Sequence, residues 1–305
     1  MKGLELCEKF FNIYGLKMIR DKFPLYEQRI AAGLVGEGSE CYGFDDEISK
    51  DHDWGPGFYL WLTQKDYQTI GQALQRQYDS LPVNFEGYKR TTVYEHRVGI
   101  FEIGDFYTGF IGHSHSPETL EDWLFLPEEA LSKCTNGSVF MDTAGAFSEI
   151  RKNLLRFYPE DVRLVKIAAR CMTAAQSGQY NYMRSVRRNE RYAAQYAETM
   201  FCSDILSLVF LLNKRYAPYY KWRHRAVALL PILGEFVHNR IIALMDARSS
   251  KTKSDIIEEI SVAIIDELRT EELTGLRSDF LLDHGPAVHD KITDNQLRQR
   301  DVWVG

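Results

Sequence analysis

Apolar positions change their period partway along the chain. Leu4, Phe10, Phe11, Ile13, Tyr14 and Leu16 recur at roughly helical spacing and predict a helix over residues 4–20. Residues 29–36, with the apolar run Ala31-Ala-Gly-Leu-Val35, read as a first strand. A second strand is expected over 51–62; its far part, Phe58-Tyr-Leu-Trp-Leu62, follows Gly55-Pro56-Gly57, so a kink or bulge is expected there. Thr63-Gln-Lys-Asp66 approximates a capping box and starts a helix running to about Leu81. Residues 89–104 read as strands, with Val98, Ile100 and Glu102 on one face and Phe101 and Ile103 on the other. Residues 106–150 are punctuated by Pro117, Pro127 and Gly137 into short helices and turns, and Leu120–Leu126 is expected to pack on the sheet.

From about residue 159 the pattern is helical throughout. Helices are expected at 160–177, 179–200, 201–215, 218–247 and 252–270, with Pro218 and Pro231 bending or breaking the fourth. The stripe Ile256, Ile257, Ile260, Ile264, Ile265, Leu268 reads as core, and the polar tail from Asp283 as a surface cover. Strands alternating with helices and then a bundle predict an α/β (α+β) domain over 1–150 followed by an all-α domain over 151–305.

Composition narrows the setting. Hydrophobic residues make up 45% of the 305 positions, enough for a substantial core. The N-terminus reads as an amphipathic helix and not a signal peptide, and no apolar run reads as a membrane span, so a cytoplasmic protein without membrane contact is expected. Five scattered cysteines without a Cys-x-x-Cys pair imply neither zinc nor a disulfide framework. The net charge of −6 hides an asymmetry: residues 1–150 carry −11, residues 151–225 carry +10 and the remainder −5. An acidic half beside a basic stretch suits a metal–phosphate site; ordinary solvated helix faces give the same count.

Candidate chemistry concentrates in residues 36–53. The first strand ends in Gly38-Ser39, whose backbone N–H groups and hydroxyl can hold phosphate. Eleven residues separate Ser39 from Asp51-His52-Asp53, where Asp51 and Asp53 would share one strand face and offer hard oxygens to magnesium. His52, between them, would point away. Phosphate cradle and magnesium pair together indicate phosphoryl or nucleotidyl transfer. An Asp-x-Asp alone carries little weight in an acidic chain; the apolar strand, Gly-Ser and spacing give it meaning.

These residues resemble the signature of the DNA polymerase β-like nucleotidyltransferase superfamily: apolar strand, Gly-Ser, about ten residues, Asp-x-Asp. The longer strings around Gly38–Glu47 and Asp51–Gly57, with Tyr216-Ala-Pro-Tyr-Tyr-Lys-Trp222, look like a bacterial branch related to the aminoglycoside and lincosamide nucleotidyltransferases. The resemblance implies a mixed sheet backed by helices, a helical C-terminal domain and a cleft between the two. It also implies a third carboxylate on a later strand, for which Glu102 is the candidate and Asp105 and Glu95 are rivals. Glu102 reads equally as an acid on the open face of an edge strand.

Lys166, in an apolar helix, matches by resemblance a lysine given to the triphosphate; a snorkelling lysine is the plain alternative. Tyr180 and Arg184 share a helical face, and Lys221 stands among Tyr216, Tyr219, Tyr220 and Trp222, as a cleft cation or as part of an aromatic-rich core edge. Glu198 and Asp204 read as capping or ion-pairing acids or as groups that orient a substrate hydroxyl or amine, and His113 and His115 as residues of a solvated loop or as a metal pair. The expected reaction moves a nucleoside monophosphate from a nucleoside triphosphate, ATP first among them, to a hydroxyl of a small molecule. One or two Mg2+ ions would lie on Asp51, Asp53 and Glu102, and the phosphates on Gly38, Ser39, Lys166 and Lys221. The alternatives are transfer to a macromolecule, RNA included, and nucleotide sensing without turnover.

Overall fold

The mixed sheet of the first half is built from short strands, and its order sets where the candidate residues fall. The computed structural model describes residues 1–51, 54–90 and 98–305, and of Asp51 the backbone alone. In chain order come α1 (Gly3–Phe10), a π-helical stretch, α2 (Leu16–Lys22), β1 (Ala31–Leu34), β2 (Tyr59–Leu62), α3 (Gln64–Asp79), a small hairpin of β3 (Asn84–Phe85) and β4 (Tyr88–Lys89), β5 (Gly99–Glu102) and α4 (Ile103–Ile111). Then follow α5 (Leu120–Phe125), α6 (Glu128–Thr135), β6 (Ser138–Met141) and α7 (Ala146–Leu155). Helices only come after: α8 (Glu160–Ala174), a π-helical stretch to Tyr182, α9 (Met183–Arg187), α10 (Arg191–Leu212), α11 (Tyr220–Val227), α12 (Gly234–Asp246), α13 (Ser250–Thr270), α14 (Leu281–His289) and α15 (Asn295–Arg298).

Two units emerge: an α/β unit of Met1–Pro117 with Leu126–Arg156, and a helical unit of Glu118–Phe125 with Phe157–Gly305. In the α/β unit the strand order is β5-β2-β1-β6. β1 runs antiparallel to both its neighbours, and β2 runs parallel to β5. Alternation sorts the two faces. Leu60 and Leu62 join Leu6, Phe10, Ile19, Leu74 and Tyr78 on one side. Trp61 on the other stacks on Phe147 at 3.8 Å and meets Phe106 edge-on. Gly33 in β1 leaves room for that indole, since a Cβ there would lie 3.1 Å from it.

The strand at Ser138–Met141 escaped the sequence pattern, being short and only half-buried. The second strand is shorter than the expected 51–62 because Gly55-Pro56-Gly57 interrupts it and pairing starts at Tyr59. Thr63 does cap α3, accepting from the Asp66 N–H at 3.4 Å.

In the helical unit α8 is central. Arg163, fully buried, donates to the Leu211 carbonyl at 3.0 Å and pairs with Glu160 and Glu271, tying α8 to α10 and α13. The expected break at residue 200 is absent, and α10 continues for 22 residues. Among the described residues it alone is long and apolar enough to cross a membrane, but more than half of it is buried inside the unit, as in a core helix. The segment 218–247 does break, into α11 and α12 around Pro231. Of Leu120–Leu126, expected to pack on the sheet, Leu120–Phe125 form α5 and belong to the helical unit, where Trp123 meets Tyr158 edge-on.

The tail is not a loose cover either. α14 buries Leu281, His284, Gly285 and Val288. Asp161 accepts from Thr293 N and Oγ1 and from Asp294 N at 2.8–2.9 Å. At Gly285 an added Cβ would come within 2.4 Å of Met172 Sδ and 3.1 Å of the Ala168 carbonyl oxygen. Gly285→Ala should therefore lower stability by about 1–3 kcal/mol through overpacking, despite alanine's better helix propensity. Urea unfolding of the two proteins measures the difference; a more stable variant would contradict the close packing of α14 on α8.

Candidate functional site

The loop after β1 is held at both ends by side chains. Asn136, at the C-terminus of α6, accepts from the Gly36 N–H at 2.8 Å through Oδ1 and donates to the Gly36 carbonyl at 2.7 Å through Nδ2. The side-chain amide thus replaces the next strand residue and ends β1 at a defined point. The neighbouring Gly137 N–H donates to the Cys41 carbonyl at 2.8 Å. Gly36 has φ +119 and Gly38 φ +113, conformations that disfavour a side chain, and the Phe110 ring occupies the space 3.1 Å from where a Cβ of Gly36 would lie. Ser39–Tyr42 then form a 3-10 turn with Gly38 at its N-cap. Tyr42 meets Ser132 Oγ at 3.2 Å, and its phenol is pushed up to about 12, by burial above all, so it stays neutral.

Asp45 fixes the other end. Its Oδ2 accepts from the Gly3 N–H at 2.8 Å and from the Trp54 indole N–H at 3.1 Å, and Lys2 Nζ lies 3.5 Å from its Oδ1. The carboxylate therefore caps the start of α1, where helix-end N–H groups favour negative charge. Burial would raise its pKa, but the Gly3 N–H, Trp54 and Lys2 together hold it below the ordinary carboxylate value.

Between these fastenings lies the Gly38-Ser39 elbow, with both residues half-buried. Ser39 Oγ and the N–H groups of Gly38 and Ser39 have no partner among the described residues. Three donors thus remain at the end of the sheet where β1 finishes. Because Tyr59 pairs with Gly33, the segment leading into β2 comes back to this same end.

Asp53 and His52 lie outside the described residues, as does Glu95. Asp51 ends a 3-10 turn, Ile48–Asp51, and is not on a strand, so the period-two placement expected for residue 51 does not hold. Glu102 is at the last position of edge strand β5, paired with Leu62. That register puts it level with the start of β1, opposite the elbow. α4 runs back from there to Phe110 at Gly36, about 12 Å along nine residues at the helical rise. Glu102 Oε1 accepts from the Gly104 N–H at 3.0 Å, which makes it the N-cap of α4. The structure does not bring Glu102 to Gly38 and Ser39. Asp105 is exposed in the first turn of α4.

The two lysines belong to the helical unit. Lys166 is buried; its Nζ donates to the Leu124 carbonyl at 3.0 Å and lies 5.1 Å from the Tyr158 ring centroid, linking α5 to α8. Lys221 is exposed on α11, 5.0 Å from the Trp222 ring centroid. Tyr216 is buried against Phe157 and Tyr158, whereas Tyr219 and Tyr220 are exposed. Arg184 covers Tyr180 at 4.6 Å, and His113 and His115 sit in a loop with rings 6.0 Å apart. Glu198 pairs with Lys253, and Asp204 lies 3.8 Å from Arg170. Sequence reasoning passed over Asn136 and Asp45. The signal for the first was Asn-Gly ahead of the short apolar run Val139-Phe-Met141; nothing separated Asp45 from its acidic neighbours.

Against this geometry, residues 123–223 match the model of a domain of unknown function, DUF4037. No curated protein matches the chain. A nucleotidyltransferase-like protein from Exiguobacterium sibiricum, of known crystal structure, is 14% identical with a TM-score of 0.40, covering 94% of this chain and 81% of its own. At that distance the likeness identifies no activity.

Asp45→Ala should cost about 1–3 kcal/mol at neutral pH, since it strands the Gly3 and Trp54 donors. A carboxylate with a depressed folded-state pKa stabilises fully above its unfolded value of about 4, and that contribution is lost as pH falls through the folded value. The gap between wild type and variant should accordingly narrow in acid. Denaturant titrations across that range test this, and a gap that stays constant or widens would exclude the charged clamp.

Proposed function

We propose that the chain is a magnesium-dependent nucleotidyltransferase that moves a nucleoside monophosphate from a nucleoside triphosphate, ATP first among them, to a hydroxyl of a small molecule. The observation that carries this reading is the elbow: three donors unengaged among the described residues, at Gly38 and Ser39, just beyond the end of β1 and with eleven residues between Ser39 and Asp51-x-Asp53. Backbone N–H groups beside a hydroxyl suit the terminal phosphates. Asp51 and Asp53 are the residues that would hold magnesium, whose chemistry is to neutralise phosphate charge and make a bound hydroxyl more acidic.

In the reaction the acceptor oxygen forms a bond to the α-phosphorus, the bond from that phosphorus to the bridging oxygen breaks, and pyrophosphate leaves with the electron pair. The hydroxyl proton passes to solvent or a base. Gly38 and Ser39 would steady the leaving phosphates, where charge grows in the transition state. Glu102 is left out of this constellation because its carboxylate caps α4. Lys166 and Lys221, in the other unit, are not needed for it.

With α-labelled triphosphates, magnesium and a panel of hydroxylated acceptors, wild type should transfer label and release pyrophosphate. Asp51→Ala and Asp53→Ala should each lower the rate by about 100-fold or more, and Ser39→Ala by about tenfold. Glu102→Gln should keep the rate and cost about 0.5–2 kcal/mol of stability as a weakened cap. Transfer that survives in both aspartate variants would refute the reading. Nucleotide bound without release, whatever the acceptor, would turn it into a sensor.

A further inference from the structure

A cavity lies within the helical unit, among α9, α10, α12 and α13, with a volume of about 710 Å³. That size falls within the range of small-molecule sites and far exceeds a lone anion. One face of α10 forms a wall through Arg191, Ala194, Gln195, Glu198, Thr199 and Cys202, residues three or four apart.

Its charges are arranged in two tiers. On the inner wall Lys253 Nζ donates to both Glu198 oxygens, at 2.7 and 2.8 Å, and both side chains are largely buried. Cys202 beside them is pushed up to about 12, by burial first and by the Glu198 charge second, and the Tyr182 phenol is raised by the same two causes. Both stay neutral, which leaves the Glu198–Lys253 pair as the ionised feature of that wall. At the rim stand Arg191 and Arg248, with no ion pair or hydrogen bond of their side chains among the described residues. They open the region where α10 and α13 begin. No side chain caps α10, so the N–H groups of its first turn add partial positive charge at the rim.

We infer that this cavity binds a small phosphorylated polyhydroxy compound, a sugar phosphate, with its phosphate between Arg191 and Arg248 and its hydroxyls on the Glu198–Lys253 pair. Arginine forks match phosphate oxygens in pairs, which suits the rim. A carboxylate beside an ammonium offers acceptor and donor together, the complement of a hydroxyl, and Gln195 and Thr199 add neutral polar groups. Three cations (Arg191, Arg248, Lys253) against two acids (Glu190, Glu198) leave the lining net positive, as an anionic ligand requires. Binding in this cavity is independent of transfer chemistry at the α/β unit.

Calorimetric titration of the full chain, with neither nucleotide nor magnesium present, tests it with ribose 5-phosphate, ribose and inorganic phosphate. Ribose 5-phosphate should bind once per chain; inorganic phosphate should bind about tenfold more weakly and ribose not measurably, since each part supplies only one tier of contacts. Joint replacement of Arg191→Ala and Arg248→Ala should weaken ribose 5-phosphate by about tenfold or more, these being exposed positions whose loss spares the fold. Thr199→Trp, which fills the cavity and leaves its charges intact, should abolish binding. Glu198→Gln should shrink the preference for ribose 5-phosphate over inorganic phosphate. Absence of binding by ribose 5-phosphate, ribose binding as tightly, or affinity unchanged in the arginine or tryptophan variants would each overturn the assignment.

Discussion

One side-chain amide decides where the first strand ends. Asn136 closes a pair of hydrogen bonds on the N–H and carbonyl of Gly36, satisfying both groups at the position where the sheet ladder runs out. Everything candidate in the α/β unit follows from that stop. The chain turns through two glycines at positive φ, presents Ser39, and is tied down again where Asp45 meets Gly3 and Trp54. The loop owes its shape to contacts at its two ends, while its middle keeps donors unspent. That division suits a ligand site, because the groups offered to a ligand need not be withdrawn from a structural duty.

Local signals in the sequence were enough for the frame and not for the site. Thr63 and Asp66 fix the start of α3, and the Ile256–Leu268 stripe is core because it is apolar at helical spacing; both depend on near neighbours. Elements decided by distant partners were less legible. α5 is held in the helical unit by Trp123 against Tyr158 and by the Leu124 carbonyl on Lys166, α14 by Gly285 against α8, and the tail by the Asp161 bonds to Thr293, contacts that no periodicity reveals. Glu102 illustrates the same limit. Its alternation with Ile100 was legible, but its level in the sheet depends on the pairing of β5 with β2, and its duty depends on a helix starting at the next residue.

The positive stretch of residues 151–225 suggested a surface facing phosphate, but part of that charge is internal. Arg163 is consumed by two acids and a carbonyl, Lys166 by a carbonyl and a ring, and Arg170 by Ser207, Asp204 and the Gly305 carbonyl. Long cationic side chains here serve as struts between helices, with several donors meeting otherwise exposed carbonyls. Net charge by segment therefore overstates what the helical unit shows to solvent, and the rim arginines Arg191 and Arg248 matter more than the total.

The Asn136-Gly137 dipeptide has a chemical corollary. Asparagine before glycine is prone to deamidation, in which the following backbone nitrogen attacks the side-chain carbonyl. Here that nitrogen is engaged with Cys41 and the carbonyl oxygen with Gly36, so the native loop withholds both reactants. Conversion to aspartate would replace the donor facing the Gly36 carbonyl with a second acceptor and set two oxygens against each other. The bond that shapes the elbow is thus also its clock: mass change at residue 136 on storage would record how often the loop comes undone.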